Sequence, residues 1–162
     1  MTTSEMHDRL TPVDTVALTA WAEARGDTAE GASSVEERIA VLWVIRHRAE
    51  RRGQSWRAVC LAPHQFSCWA PDGGATNHDA VRRLVTALVA GETIHDPLYI
   101  ETRYLADGVM RGWLLDRTDG ADHYYAPAAM RPAGSMPAWA RGQTPTATIG
   151  GHVFFQLEGS RP

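Results

Sequence analysis

Apolar residues recur at helical spacing over much of this chain and give way to short extended runs near its C-terminal end. Val13, Val16, Ala17, Ala20, Trp21 and Ala24 mark one face of a helix over 13–25, and Gly26 stands where a left-handed C-cap residue belongs. Ser33 and Ser34, followed by Glu36 and Glu37, form a capping-box signature. It predicts a second helix over 35–52, stopped by Gly53. Ile39, Leu42, Trp43 and Ile45 spread around its circumference, which predicts a central, buried helix with Trp43 in the core. Shorter helical patterns follow over 55–61, broken at Pro63, then over 78–90, and over 98–113 behind Pro97. Residues 64–77 read as an irregular loop with a turn at 71–74. After Gly120 the pattern changes. His123-Tyr124-Tyr125 reads as extended, 127–145 as loop with a short turn around Trp139, and 146–149 and 152–157 flank Gly150-Gly151 as a hairpin. Residues 1–12 read as a loose lead-in and 13–158 as one domain. The pattern predicts a mainly α (α+β) fold with a small β-hairpin region near the C-terminus.

Composition narrows the classes of function. A chain of 162 residues fits one domain and is long enough for a real core. Its net charge of −3 gives no case for nucleic-acid binding. No segment approaches the length of a membrane span, and the polar N-terminus lacks the apolar core of a signal peptide. A cytoplasmic origin is therefore expected, and a monomer. All sixteen cations other than His are Arg, which supplies rigid forks for carboxylates and sugars. Cys60 and Cys68 are too few for a closed zinc site. A local disulfide and a pair of reduced, half-buried thiols are both open readings. The seven His show no His-Glu-x-x-His pattern, so no metal is expected, and no cofactor. No Gly-x-Ser-x-Gly elbow or glycine-rich phosphate loop is present.

Glu23 is the candidate for chemistry. It lies in the last turn of an apolar helix, beside Trp21, where burial and the helix dipole both favour the protonated carboxyl. A carboxylic acid held protonated near neutral pH is what glycosidic cleavage needs as its general acid. On this helix alone a solvated Glu, or one paired with Arg25, is the simpler reading.

The order of motifs changes that balance. Ala22-Glu23-Ala24-Arg25-Gly26-Asp27 is followed by the run from Ile39 to Arg48, then by Val59-Cys60-Leu61-Ala62-Pro63-His64-Gln65-Phe66-Ser67-Cys68-Trp69. Gly120-Ala121-Asp122-His123-Tyr124-Tyr125, Pro137-Ala138-Trp139-Ala140 and Ile149-Gly150-Gly151-His152-Val153-Phe154-Phe155 complete the series. Together they resemble the SleB-type cell-wall hydrolases, also called spore-cortex-lytic or hydrolase type 2 domains, over roughly residues 15–157. The chain departs from that pattern at Asp27, where the family has Glu, and at His47, where it has Asn. The resemblance implies a lysozyme-like, lytic-transglycosylase-like fold and peptidoglycan glycan strands as substrate, cut between N-acetylmuramic acid and N-acetylglucosamine. It places the catalytic glutamate at Glu23 and implies a lytic transglycosylase. A hydrolytic muramidase and a non-catalytic peptidoglycan-binding domain are the alternatives. Asp27, Glu30, Glu36 and Glu37 are rivals for a second acid, although Glu36 and Glu37 are better explained as first-turn helix charges. Release through a phage holin, as for an endolysin, is the expected route to the wall.

Sugar binding needs flat apolar faces beside hydrogen-bonding groups. Gln65, Phe66, Ser67 and Trp69 offer that mixture, as do His123, Tyr124, Tyr125 and Trp139. For Trp69, Tyr124 and Tyr125 a packing role weighs equally. His123 either orients Glu23, binds sugar, or is a hydrogen-bonded structural histidine.

Overall fold

The computed structural model describes residues 2–24, 34–70 and 75–159. Helix α2, Pro12–Ala24, is the hub. Val16, Ala17, Leu18, Ala20, Trp21 and Ala22 are all buried, so this helix is enclosed around its whole circumference. Its alanines let neighbours approach closely: α3 (Val35–Arg52), α4 (Trp56–Leu61), α5 (Ala75–Val89) and α6 (Pro97–Met110) all pack against it. Helix α3 has the predicted bounds. Ser34 and Glu37 cap it reciprocally, and Gly53 ends it with a φ of 60°. It is central, as expected, but it buries Glu37, Arg38, His47 and Arg48 beside its apolar residues. Trp43 is only half-buried, with the Arg46 guanidinium 4.7 Å from its ring centre.

Residues 2–10 depart from the expected loose lead-in. Helix α1, Thr3–Arg9, is started by a capping box between Thr2 and Glu5. It has no buried residue of its own. Met6 packs at the edge of the core, and Leu10 behind the helix is buried in it. So short and polar a segment shows no periodicity, which is why the pattern hides it. Helix α5 begins at Ala75, three residues before the predicted start, and the turn at 71–74 lies outside the described residues. Pro97 opens α6, as expected; Asp96 caps it, and the helix ends at Met110, three residues short of the expected end. The Tyr99 hydroxyl and Arg103 Nε donate to Asp14 at 3.0 and 2.7 Å, which pins α6 to the start of α2.

The sheet is small and antiparallel. Strand β3, His152–Phe155, lies between β1, His123–Tyr125, and β2, Ala147–Ile149. Tyr124 faces Phe154 in register. Phe154 is fully buried against Ala40 and Val44 of α3 and so seats the sheet on that helix. The hairpin tip is tied to α3 as well: Glu37 Oε1 accepts from the Gly151 amide at 2.7 Å and lies 3.2 Å from His152 Nδ1. A side chain at Gly150 would meet that carboxylate at 2.2 Å, with φ already at 56°. Glycine alone fits there.

Phe154→Ala should cost about 3–5 kcal/mol, the usual range for deleting a buried aromatic. Denaturant unfolding should show a lowered midpoint with an unchanged slope.

Candidate active site

Glu23 is the penultimate residue of α2, and its carboxylate meets β1 across the fold. The Tyr124 hydroxyl donates to Glu23 Oε2 at 3.0 Å. Tyr124 is placed from the other side by the Phe154 and His152 rings, with centroids 5.7 and 5.5 Å away. Burial pushes the Glu23 carboxyl above its ordinary value. The Tyr124 hydrogen bond and the charge of Arg48 pull the other way without cancelling it. Burial also holds the Tyr124 phenol well above its usual range, so it stays a proton donor to Glu23. The result is a carboxyl poised towards its protonated form and oriented by one neutral hydroxyl.

Strand alternation divides the run at 123–125 between two faces. Tyr124 points to Glu23. His123 and Tyr125 point the other way, where they meet Trp139 at 5.3 and 5.9 Å between ring centroids, with Phe155 stacked on Tyr125. His123 Nδ1 lies 2.8 Å from Asp122 Oδ1, and its ring does not reach Glu23. Trp139 sits in a short 3-10 turn, Ala138–Ala140, and is partly exposed. These three residues form an aromatic shelf on the face of β1 turned away from Glu23.

The loop at 65–69 is distributed similarly. Gln65 Oε1 accepts from Arg52 Nη1 at 3.0 Å. Phe66 is buried beneath the Arg48 guanidinium, 5.3 Å from its ring centre. Ser67 is exposed at the start of a 3-10 turn, Ser67–Trp69. Trp69 is half-buried. Its Nε1 donates to Thr19, one turn before Glu23, at 2.9 Å, and its ring meets His7 edge-on. Trp69 thus packs α1 and α2 together. Gly26, Arg25, Asp27 and Glu30 lie outside the described residues. Of the other two carboxylates weighed as a second acid, Glu37 is committed to the hairpin and Glu36 is exposed, on a groove it shares with Ile39, Trp113 and Leu115.

Both cysteines are buried free thiols. Burial pushes Cys60 up to about 12, and Cys68 also rises. Thiols held protonated in this way are poor nucleophiles. Among the described residues no three His, Cys, Asp or Glu side chains converge on a metal-sized site, and no helix is long and apolar enough to cross a membrane.

Arg48 closes one of the runs that carry the resemblance, but the sequence pattern assigns it no role. It lies 25 positions from Glu23 and reads there as one more polar residue of a long helix. Only its burial sets it apart.

The site thus sits in a mainly helical domain with a small antiparallel sheet. The catalytic domain of the Bacillus cereus SleB protein shares the fold, with a TM-score of 0.55 and 19% identity over 90% of this chain and 89% of that one. Residues 32–155 match the model of the family described as Cell Wall Hydrolase, and the chain belongs to that family. Glu23 lies ahead of the matched residues. No curated relative matches the chain. Family membership gives the coarse activity, degradation of cell-wall peptidoglycan.

Glu23→Gln should stabilise the fold at neutral pH, and the sign follows from the raised carboxyl. The folded state disfavours the carboxylate, so its cost is absent below the ordinary Glu value of about 4.3. It grows as pH rises from there through the raised value of the folded state. The gain should appear as a higher Tm for the variant at pH 7 and little difference at pH 4. Thermal melts of both proteins from pH 4 to pH 8 should diverge as pH rises. Treatment of the native enzyme with a thiol-alkylating reagent should leave wall-degrading activity within about twofold, as buried protonated thiols require.

Proposed function

We propose that this chain cleaves the glycan strand of peptidoglycan as a lytic transglycosylase, with Glu23 as general acid and then general base. The observation that carries the reading is the Glu23 carboxyl itself, raised by burial and bonded to the Tyr124 hydroxyl, with no second carboxylate touching it among the described residues.

One carboxyl group is enough for that reaction. Protonated Glu23 gives its proton to the glycosidic oxygen, and the bond to C1 of the muramoyl sugar breaks. Glu23, now a carboxylate, takes the proton of that sugar's C6 hydroxyl as the C6 oxygen closes on C1. The products are an alcohol end and a 1,6-anhydro ring, no water is consumed, and Glu23 is again protonated. The sugar's own acetamido group shields the developing cation, as in the substrate-assisted exceptions to two-carboxylate glycosidases. Tyr124 holds the carboxyl at one oxygen through both halves. The other oxygen, which has no hydrogen-bond partner among the described residues, is left to face substrate.

Digestion of purified peptidoglycan by the wild type and by Glu23→Gln tests this directly. Mass spectrometry should find muropeptides lighter by one water, with anhydro-muramic ends. The variant should release them at least ~100-fold more slowly, the usual worth of general acid–base catalysis. Near-normal turnover in the variant would remove Glu23 from the mechanism. Reducing ends would make the enzyme a muramidase that needs a second carboxylate. Tight binding of wall fragments without products from either protein would make it a binding domain.

A further inference from the structure

The hydroxyl that bonds Glu23 sits at the far end of the Tyr124 ring, so it is only as well placed as the ring itself. Two side chains of β3 place that ring. Phe154 stands opposite Tyr124 in the register, and His152, two residues back on the same face of the strand, is its diagonal neighbour. The three rings form a closed group. The His152 centroid lies 5.5 Å from Tyr124 and 6.2 Å from Phe154, and Phe154 lies 5.7 Å from Tyr124. Their inclinations differ: Phe154 is tilted at 34° to the phenol, whereas His152 meets it edge-on at 69°. The last torsion of a tyrosine side chain has a broad well. One tilted neighbour leaves room to rock within it, and a second contact at a different angle takes that room away.

His152 is itself held from α3. Its Nδ1 lies 3.2 Å from Glu37 Oε1. That carboxylate has no freedom of its own, since Oε1 also accepts from the Gly151 amide at 2.7 Å and Oε2 from the Ser34 amide and hydroxyl at 2.8 and 3.2 Å. Burial raises the Glu37 carboxyl, but the bonds from Gly151, Ser34 and His152 outweigh it and hold it below the ordinary Glu range. An ionised carboxylate only accepts, so Nδ1 is the nitrogen that carries hydrogen and donates. The bond therefore fixes both the protonated nitrogen and the direction of the ring. A chain of contacts runs from the helix cap to the acid: Glu37 to His152, His152 to Tyr124, Tyr124 to Glu23. Fastening the hairpin tip does not need the imidazole, because the Gly151 amide already bonds to Glu37 and Phe154 already seats the sheet.

We propose that His152 is a positioning residue for the reacting pair: held by Glu37, its ring keeps the Tyr124 hydroxyl on Glu23 Oε2. This rests on the reading of Glu23 as acid and base. The other groups that act on the Glu23 charge are Arg48, Cys60 and Cys68. None of them hydrogen-bonds to His152 among the described residues. A substitution at 152 therefore reaches Glu23 through Tyr124.

The test is the titration of the Glu23 carboxyl carbon by nuclear magnetic resonance in His152→Asn, His152→Phe, Tyr124→Phe and the double variant His152→Asn with Tyr124→Phe. Asparagine keeps a donor for Glu37 and loses the ring, and phenylalanine keeps the ring and loses the donor. Tyr124→Phe deletes a bond that favours the carboxylate, and should raise the Glu23 midpoint by about one pH unit, the worth of one hydrogen bond to a charged group. His152→Asn should raise it by roughly half as much or more, and the double variant should titrate like Tyr124→Phe alone. His152→Phe should stay nearer the wild type than Tyr124→Phe. Peptidoglycan cleavage by His152→Asn should slow roughly tenfold, as a small misplacement of a reacting group would cause.

An unmoved midpoint in His152→Asn, with a lowered Tm, would overturn the proposal and leave His152 a fastening of the hairpin. A shift that adds in full to that of Tyr124→Phe would overturn it too, because it would reach Glu23 by another route. If His152→Asn does not fold, His152→Gln, which also keeps a donor without a ring, must meet the same two expectations. Failure of both to fold would make His152 a residue of the fold and overturn the proposal as well. The titration is independent of turnover, so full cleavage by Glu23→Gln would overturn the catalytic reading and leave the link between His152 and Glu23 standing.

Discussion

The buried carboxylate of Asp122 holds the site together. It is fully enclosed, where an unpaired charge is not tolerated. Its two oxygens accept from Arg51 Nη1, from the amides of Leu157 and Glu158, and face His123 Nδ1, all at 2.7–2.8 Å. Burial alone raises such a group. The donations from His123 and the two amides outweigh it and hold the carboxyl below the ordinary Asp range. Its own backbone joins in, with its amide donating to the Phe155 carbonyl and its carbonyl accepting from Arg48. One residue thereby fixes the end of α3, the start of β1 and the tail relative to one another. Tyr124, two positions on, reaches Glu23 from that junction.

The polar residues buried on α3 extend the same logic along the helix. Glu37 holds the hairpin tip, His47 lies between the Ala121 carbonyl at 2.7 Å and the Asp116 carboxylate at 3.2 Å, and Arg48 holds the Asp122 carbonyl. Each binds a different part of the chain after residue 110. The helices supply the apolar core, with α2 at its centre. The later, irregular half of the chain is attached to that core largely through side chains of one helix. Interactions of this kind give a buried polar group its partners and fix geometry more than they add net stability.

This division explains what was legible in the sequence. The bounds of α3 follow from local chemistry, because Ser34, Glu37 and Gly53 act within one turn of themselves. The hairpin at Gly150-Gly151 and the cap and proline that open α6 are equally local. The fold class and the family could be read from motif order, and Glu23 could be singled out because its helix is apolar and ends just after it. The burial of Arg48 was not legible, since nothing local marks a polar residue of a long helix as enclosed. Nor was the division of 123–125. Alternation predicts that Tyr124 faces away from its neighbours, but only the packing of Phe154 on Ala40 and Val44 decides which face is inward. Helix α1 escaped notice because its start is local but its stabilising contacts lie on α5 and the loop that holds Trp69.

The two faces of β1 also bear on how such an enzyme can change. Tyr124 serves the reacting carboxyl, while Tyr125 and Trp139 lie on the opposite surface and touch neither Glu23 nor Tyr124. Substitution of Tyr125 or Trp139 should therefore spare the Tyr124–Glu23 bond, whereas His123 is tied to Asp122. Neighbouring residues of one short strand thus serve two separate surfaces, one bonded to the acid and one packed on Trp139.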